Sequence, residues 1–222
     1  DAAFADYAAV DSASVKDALR VPCVPAAVVI DTGFAATVLD GVWRGGIGEA
    51  VRLAAAADAT LLKKLKKLAP AYCGRDMSAL AEIVQLVCKT REKKGGTALA
   101  LWAALRLESM SGYKLPHGYA VSIGLCIDLC YAAEKKLLKD ADRDAALEVL
   151  RTCGALDGLA HSGHLLNQTD GLLFGLDAWQ LSVPDRTVVG LDGIGKTQSV
   201  EDFDRETVKE VVKNVVSLAA TD

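Results

Sequence analysis

Two stretches of the chain are apolar around almost the whole circumference of a helix. Residues 97–112 keep this character as far as Leu105, and residues 117–138 repeat it after a short turn that ends in Pro116. A helix that is apolar on every side is normally buried on every side. The pattern therefore predicts two central helices that form the core of the domain.

The neighbouring stretches have one apolar stripe and one polar face, as surface helices do. They cover residues 33–68, 78–96 and 140–154, and a last helix with its valines at positions 208, 211, 212, 215 and 216. Asp202 or Asp204 is the expected N-cap of that last helix. Glycines 45, 46 and 48 are expected to open the helix that carries Glu49 and Arg52.

The remaining segments have weaker patterns. Phe4–Leu19 is compatible with a helix, and residues 20–25 are expected to be extended because residues before proline avoid the helical region. Ala26–Asp31 has the pattern of a buried strand, and residues 154–185 look irregular apart from a short helix over Phe174–Leu181. Together the patterns predict a mainly α fold with a few short strands.

Composition excludes several classes of protein. The chain has 222 residues, enough for one large domain or two small ones, with a net charge of -4 and only 5% aromatic residues. A nucleic-acid binder usually has a clear basic excess, so no nucleic-acid partner is expected. No uncharged apolar run is long enough to span a membrane. The leucine stripe with four lysines opposite, within residues 61–70, favours a solvated helix face over contact with an anionic surface.

Six cysteines are present, and none forms a C-x-x-C pair. Such usage is typical of small buried thiols in a reducing compartment. Cys126 and Cys130 share a helix face, where core packing is favoured over a redox pair. The first residue is Asp1 and not Met, so either a precursor segment was removed or the start of the protein is not represented in this sequence. A plastid stroma or the cytoplasm is the expected location.

The stretch from Gly190 to Thr197 matches the phosphate-binding pattern G-x-x-x-x-G-K-[ST], with Gly195 and Lys196 in place. That chemistry needs a helix to begin at the lysine, so that its N-terminal amides can hold phosphate. The apolar period of the last helix begins several residues too late, and Asp192 puts a negative charge where phosphate would lie. A glycine-rich turn between two short strands is the favoured interpretation.

Three stretches, in order, resemble a known family. The first is "AAVVIDTGFAATVLDGVWRGGIGEAVRLA", the second "LESMSGYKLPHGYAVSIGL" and the third "LDGIGKTQ". They are similar to segments of 3-dehydroquinate synthase and related sugar phosphate cyclases. The resemblance runs from about Pro25 to the end, and it assigns the Gly190–Thr197 stretch to the family's turn before its last helix.

The resemblance implies an architecture and a chemistry. Members of the family use NAD and a divalent metal, usually zinc, to convert a phosphorylated sugar into a carbocycle, in a cleft between a nucleotide-binding domain and a helical metal-binding domain. The chain resembles the second, C-terminal domain over residues 26–222, with residues 1–25 as an N-terminal extension. On this basis the nucleotide-binding domain is expected to be absent.

The family's metal and catalytic residues transfer only in part. Glu49 and His117 fall on metal-binding positions, whereas the third metal ligand, a histidine, falls on Leu101 and a catalytic histidine falls on Leu105. The other matched positions are Ala98 for an asparagine, Arg52 for a lysine, Tyr119 for a glutamate, and Lys94 near an arginine. Arg52 and Lys94 are therefore expected to be vestigial catalytic positions, and Glu49 and His117 vestigial metal ligands.

Leucine has no lone pair, so Leu101 cannot complete a zinc site, which usually needs three protein ligands. His161 and His164 lie far along the chain and are not expected to replace it. Burial of Leu101 and Leu105 would contribute roughly 3 to 6 kcal/mol and favours a dry, filled core over a wet cleft. Glu49 and His117 are then expected to remain as a hydrogen-bonded or ion pair.

Three functional hypotheses follow. The first is a degenerate, non-catalytic cyclase domain that serves as a structural or interaction subunit, with a protein partner or larger assembly, an apolar patch for that partner, and no bound zinc or NAD. The second is an active half-enzyme, a lyase of the 3-dehydroquinate synthase type, completed by a separate nucleotide-binding chain and using zinc and NAD. The third is a P-loop-type nucleotide binder.

Overall fold

The computed structural model describes residues 7–12, 15–182, 187–201 and 203–218, without the side chains of His161 and Leu218. The described part is mainly α-helical with a few short strands, as the sequence predicts. The helices are α1 Asp40–Ala57, α2 Ala59–Cys73, α3 Met77–Lys94, α4 Leu101–Met110, α5 His117–Glu134, α6 Asp140–Thr152, α7 Gly158–Leu166, α8 Thr169–Ser182 and α9 Arg205–Leu218. The strands are β1 Tyr7–Val10, β2 Leu19–Pro22, β3 Val188–Leu191 and β4 Thr197–Val200, paired as two antiparallel hairpins.

Helix α5 is the centre of the helical body, because every residue from Tyr119 to Leu129 is buried. It packs against α1 on one side and α4 on the other. The prediction of a buried central pair is confirmed for α5 and holds only in part for α4, where Leu101 and Leu105 are half-buried. No described helix is long and apolar enough to cross a membrane.

The glycines of α1 have a different role from the one predicted. The helix begins at Asp40, so Gly45, Gly46 and Gly48 lie inside it and do not open it. A Cβ added at Gly45 would lie 2.9 Å from the carbonyl carbon of Gly118, at the start of α5. Gly45 and Gly48 therefore let the backbones of α1 and α5 approach closely, which a sequence pattern alone does not reveal.

The N-terminal region also differs from the prediction. Phe4–Leu19 was expected as a helix, but its described part contains β1 instead. β2, Leu19–Pro22, begins the segment that was expected to be extended, and the two strands form a hairpin. Ala26–Asp31 forms no strand and is exposed, with Val29 exposed by 92%. Its apolar character predicted burial, but no described sheet offers it a partner strand. A 3₁₀ turn over Thr32–Thr37 then leads into α1.

The C-terminal third is more regular than predicted. Residues 154–185 contain two helices, α7 and α8, where only one short helix was expected. The last helix begins where its pattern predicts, and Asp204 is its cap, accepting from the backbone N–H groups of Glu206 and Thr207 at 3.2 Å. The other predicted cap, Asp202, lies outside the described residues.

All six cysteines are free. Cys126 and Cys153 are buried, as expected of small apolar thiols, whereas Cys23 and Cys73 are exposed. The four lysines of α2 are exposed, which agrees with the solvated helix face predicted for them.

Candidate functional site

A cluster of charged side chains lies where α1, α4 and α5 meet. His117 is at its centre, with Nδ1 2.7 Å from Glu108 Oε1 and Nε2 3.1 Å from Glu49 Oε1. The guanidinium of Arg52 donates to Glu49 Oε2 at 2.6 Å. The predicted Glu49–His117 pair is therefore present, as part of a larger network.

Local structure fixes each member of this cluster. Glu49 and Arg52 are three residues apart on α1, so they share a face of the helix. His117 is the first residue of α5. It directly follows Pro116, which has no backbone N–H and therefore favours the start of a helix over its interior. Arg52 also donates to the carbonyl of Thr97, and this contact holds the segment before α4 against α1.

The charges of the cluster stabilise one another. Burial raises the pKa of Glu49, but the hydrogen bond from His117 and the charge of Arg52 outweigh burial and lower it to about 2. Burial lowers the pKa of His117, but its hydrogen bonds to Glu108 and Glu49 prevail and raise it to about 9. At neutral pH the imidazolium therefore lies between carboxylates, with both ring nitrogens donating.

The side chains at the retained metal-ligand positions are engaged by other members of the cluster. Among the described residues, no group of three His, Cys, Asp or Glu side chains could hold a metal. In the cluster, one carboxylate oxygen of Glu49 is hydrogen-bonded to His117, and the other accepts a hydrogen bond from the guanidinium of Arg52. Zinc binds an imidazole through a free ring nitrogen, whereas both ring nitrogens of His117 have carboxylate partners here.

The prediction that Leu101 and Leu105 fill the site as fully buried core residues is only partly correct. Leu101 and Leu105 are half-buried and pack at the margin of the core. Leu105 also lines a cavity of about 370 Å³ that is open to solvent. The N-terminal hairpin forms the opposite wall of that cavity. The helix pattern around Leu105 carries no information about this distant segment, so the sequence could not predict that Leu105 is only half-buried.

The other predicted positions lie apart from the cluster. Lys94 is exposed in the last turn of α3 and makes no described hydrogen bond or ion pair with it. Ala98 precedes α4 and is half-buried. Tyr119 is buried against Gly158 and lines a second cavity together with His164. The side chain of His161 is outside the description.

Two members of the network were not predicted as site residues. Glu108 is only 5% exposed and bonds His117, and its place in the second family-like stretch was the available signal. Lys16 lies 3.4 Å from Glu108 and comes from the loop of the N-terminal hairpin. Nothing in the local sequence around Lys16 indicates that contact.

The phosphate-loop pattern forms a hairpin turn. The residues from Asp192 to Lys196 connect β3 to β4, and α9 begins only at Arg205. The ammonium of Lys196 pairs with the carboxylate of Asp192, inside the turn itself. The predicted turn between two short strands is confirmed, and the geometry lacks the helix N-terminus that a P-loop needs.

Comparison with known proteins identifies relatives of this fold. No family model matches the chain. Over 164 residues it is 28% identical to 3-dehydroquinate synthase of Pyrobaculum islandicum, a match that covers 69% of the chain and 48% of that protein. Over 137 residues it is 31% identical to 3-dehydroquinate synthase of Shouchella clausii, covering 56% of the chain and 38% of that protein. The chain thus spans about half the length, or less, of these relatives.

Solved structures give the same result for the fold. The 2-epi-5-epi-valiolone synthase of Streptomyces hygroscopicus, with NAD⁺ and Zn²⁺ bound, matches with a TM-score of 0.80 at 18% identity, over 98% of this chain and 63% of that one. A 2-deoxy-scyllo-inosose synthase, complexed with carbaglucose-6-phosphate, NAD⁺ and Co²⁺, matches with a TM-score of 0.64 at 18% identity, over 96% of this chain and 62% of that one. The resemblance found in the sequence is confirmed: the chain is a homologue of the 3-dehydroquinate synthase-like sugar phosphate cyclases.

Proposed function

We propose that this chain is a degenerate sugar phosphate cyclase domain, without catalysis of its own, that serves as a structural or interaction subunit of a larger assembly. One observation carries the proposal. Glu49 and His117, the two ligands that the resemblance retains, bond each other, and the third ligand position is Leu101. In this proposal the hydrogen-bonded network of charged side chains around His117 takes the place of the metal ion.

The cluster supports a structural role because its charged side chains neutralise one another without a metal ion. The three positive groups are the imidazolium of His117, the guanidinium of Arg52 and the ammonium of Lys16. Three carboxylates match them, those of Glu49, Glu108 and Asp11. A divalent ion added to this cluster would be repelled by the guanidinium of Arg52 and would have to displace the proton of His117. Such repulsion costs several kcal/mol at the low effective dielectric of a half-buried site.

Metal content tests this proposal. Purified protein is expected to contain zinc well below one equivalent per chain by elemental analysis. Leu101→His restores a histidine at the position that the resemblance assigns to the third metal ligand, and we expect it to raise the zinc content. Leu137→His, at a half-buried leucine outside the cluster, is the control for adventitious binding. One equivalent of zinc in the wild-type protein, removed by Glu49→Gln, would overturn the proposal.

The interaction role rests on an exposed apolar segment, residues 24–42. Its exposed side chains are Val24 (77%), Val28 (41%), Val29 (92%), Ile30 (40%), Phe34 (75%), Leu39 (79%) and Val42 (50%). Scattered apolar side chains are normal on a surface, but a run of seven within one segment is typical of an interface. We infer that this segment, named the apolar arm, contacts a protein partner.

The alternative of an active half-enzyme has one observation in its favour. Glu49, Arg52 and His117 remain adjacent, so part of the family's site is retained in space. In that case a separate nucleotide-binding chain would complete the site, and zinc and NAD would be required. Turnover of dehydroquinate-type or heptulose-type substrates, appearing only when such a chain and zinc are added, would support this alternative.

A further inference from the structure

A cavity of about 370 Å³ lies between the N-terminal hairpin and helices α4 and α8. Its walls are mostly apolar, with Trp102 and Leu105 from α4 and Phe174 and Trp179 from α8. Pockets of this size and composition typically hold small molecules that are largely apolar. Phe174 is 48% exposed, which leaves an aromatic edge accessible at the margin of the cavity.

Positive charge predominates on the polar part of the lining. The hairpin contributes Lys16, Asp17 and Arg20, and α4 contributes Arg106. Lys16 is already matched by Glu108 at 3.4 Å and Asp11 at 3.5 Å. Arg20 is less well matched, because its contact with Asp17, at 3.4 Å, is shared with the hydroxyl of Tyr7, 3.0 Å from the same oxygen.

Arg20 also has a specific unsatisfied group. Its Nε–H is buried and has no hydrogen-bond acceptor among the described residues, while its guanidinium lies over the rings of Tyr7 and Trp179, with centroid distances of 4.9 and 5.5 Å. A buried donor without an acceptor is costly, more so on a charged group. The aromatic rings hold the guanidinium plane in place beside the cavity.

We propose that this cavity binds a small carboxylate with an aromatic or branched apolar body. The carboxylate pairs with the guanidinium of Arg20 where it lines the cavity, since carboxylate and guanidinium match in geometry and charge. The apolar body lies against Trp102, Leu105 and Trp179. The site needs no metal and no nucleotide. It adjoins the charged cluster, because Lys16 belongs to both and Leu105 lies at the position of the family's catalytic histidine.

The test uses 3-phenylpropionate and its uncharged counterpart 3-phenylpropanamide, in buffer with EDTA. Binding is measured by calorimetry and by the fluorescence of the tryptophans, of which Trp102 and Trp179 line the cavity. We expect saturable binding of the carboxylate and binding of the amide that is weaker by about ten-fold or more, as for loss of a charged hydrogen-bond partner. Equal binding of the two compounds, or no saturation by about 10 mM carboxylate, overturns the proposal.

Two variants examine the cavity itself. Arg20→Met keeps much of the apolar length and removes the charge, and it is expected to weaken carboxylate binding about ten-fold or more. Arg143→Met, on α6 and outside the cavity, is the matched control and should bind as the wild type does. Leu105→Trp fills the cavity and should abolish binding whatever the charge of the compound. Thermal unfolding verifies that each variant is folded, and full binding by folded Leu105→Trp contradicts the assignment.

Discussion

At the scale of single residues, the helical body buries charged groups and matches each of them. Arg52 is 2% exposed, Glu108 is 5% exposed and Asp128 is 2% exposed. Arg52 has Glu49 and a backbone carbonyl as partners, and Asp128 accepts from the backbone N–H of Ala100 at 2.8 Å and the indole N–H of Trp102 at 3.1 Å. An unmatched charge in these positions would be expensive, so loss of a partner should be measurable.

Glu49→Gln removes the negative charge that neutralises Arg52 and His117. We expect the free energy of unfolding to fall by about 3 kcal/mol, since a buried cation is left without its counter-charge. Urea unfolding measures the change. The matched control is Glu148→Gln, whose ion pair with Lys66 has both side chains at least half exposed, with an expected loss of about 1 kcal/mol or less. Equal losses in the two variants would show that the cluster contributes no more than a surface pair.

Asp128 gives the stability a pH dependence of known sign. Burial raises its pKa from 3.8 to about 7, against the two donated hydrogen bonds that lower it. The folded state then binds a proton that the unfolded state releases between about pH 4 and 7. This contribution, roughly 4 kcal/mol, is fully present below about pH 4 and is lost as the pH rises towards 7.

Asp128→Asn isolates that contribution. The variant cannot titrate at this position. An amide offers only one oxygen, so one of the two N–H groups that donate to Asp128 loses its acceptor. We therefore expect the variant to be less stable at pH 4 by about 1 to 3 kcal/mol. Urea unfolding at pH 4, 5, 6 and 7 gives the difference between wild type and variant. Because the wild type alone loses stability as the pH rises, that difference should shrink and then change sign towards pH 7. A difference that is independent of pH would show that Asp128 keeps an ordinary pKa.

At the scale of elements, close contact of α1 and α5 sets the geometry of the charged cluster. A Cβ added at Gly118 would lie 2.3 Å from the carbonyl carbon and oxygen of Gly45, which is backbone and cannot rotate away. Glu49 and His117 lie four and one residues from these glycines on their two helices. The glycines therefore bring the carboxylate of α1 within hydrogen-bonding distance of the imidazole of α5.

Gly118→Ala should push the two helices apart. We expect a loss of about 2 kcal/mol or more in the free energy of unfolding, because an overpacked contact between backbones has no side chain that can yield. Urea unfolding measures it. Gly163→Ala, in α7 with nothing within 4 Å of the added Cβ, is the control and should be neutral or stabilising by up to about 1 kcal/mol. A Gly118→Ala variant as stable as Gly163→Ala would mean that the α1–α5 contact is looser than described.

At the scale of the whole molecule, two kinds of apolar surface are distinguished. The core extends through all nine described helices and includes Phe203, 2% exposed and stacked on Tyr131 with a centroid distance of 4.3 Å. The apolar arm, residues 24–42, lies outside it and keeps Phe34 75% exposed. The same residue type should therefore have opposite consequences in the two places.

Phe34→Ser is expected to leave the unfolding temperature within about 1 °C of the wild type, since an exposed side chain contributes little to stability. Phe203→Ser should lower it strongly, in keeping with a loss of about 3 to 5 kcal/mol for a buried aromatic side chain. Thermal unfolding followed by circular dichroism compares the two variants. A large loss in Phe34→Ser would place that ring in the core and remove the basis for the apolar arm.

A photo-crosslinking amino acid at position 34 tests what covers the apolar arm in the cells of origin. We expect one defined protein to be crosslinked from position 34, and none from position 66, an exposed lysine on α2. Phe34→Ser should prevent copurification of that same protein. Crosslinks of equal pattern from both positions, or none from position 34, would contradict the interaction role.

The sequence by itself determined the elements with strong local signals. The all-round apolar run gave the buried helix α5, and the late valine period placed α9 after Asp204 and excluded a helix at Lys196. The family resemblance, carried by short motifs in order, identified Glu49 and His117 as a pair. Each of these follows from periodicity, capping or motif, which depend on residues within a few positions of one another.

Only the tertiary structure decided what lies opposite each element. It placed Glu108 and Lys16 in the charged cluster, joined Gly45 to Gly118, and left Leu105 on the margin of a cavity formed with the N-terminal hairpin. It also left Ala26–Asp31 exposed, although its pattern is that of a buried strand. Burial and strand pairing are set by contacts between residues distant in sequence. A local pattern shows that a segment can be buried, but it does not show which segment packs against it.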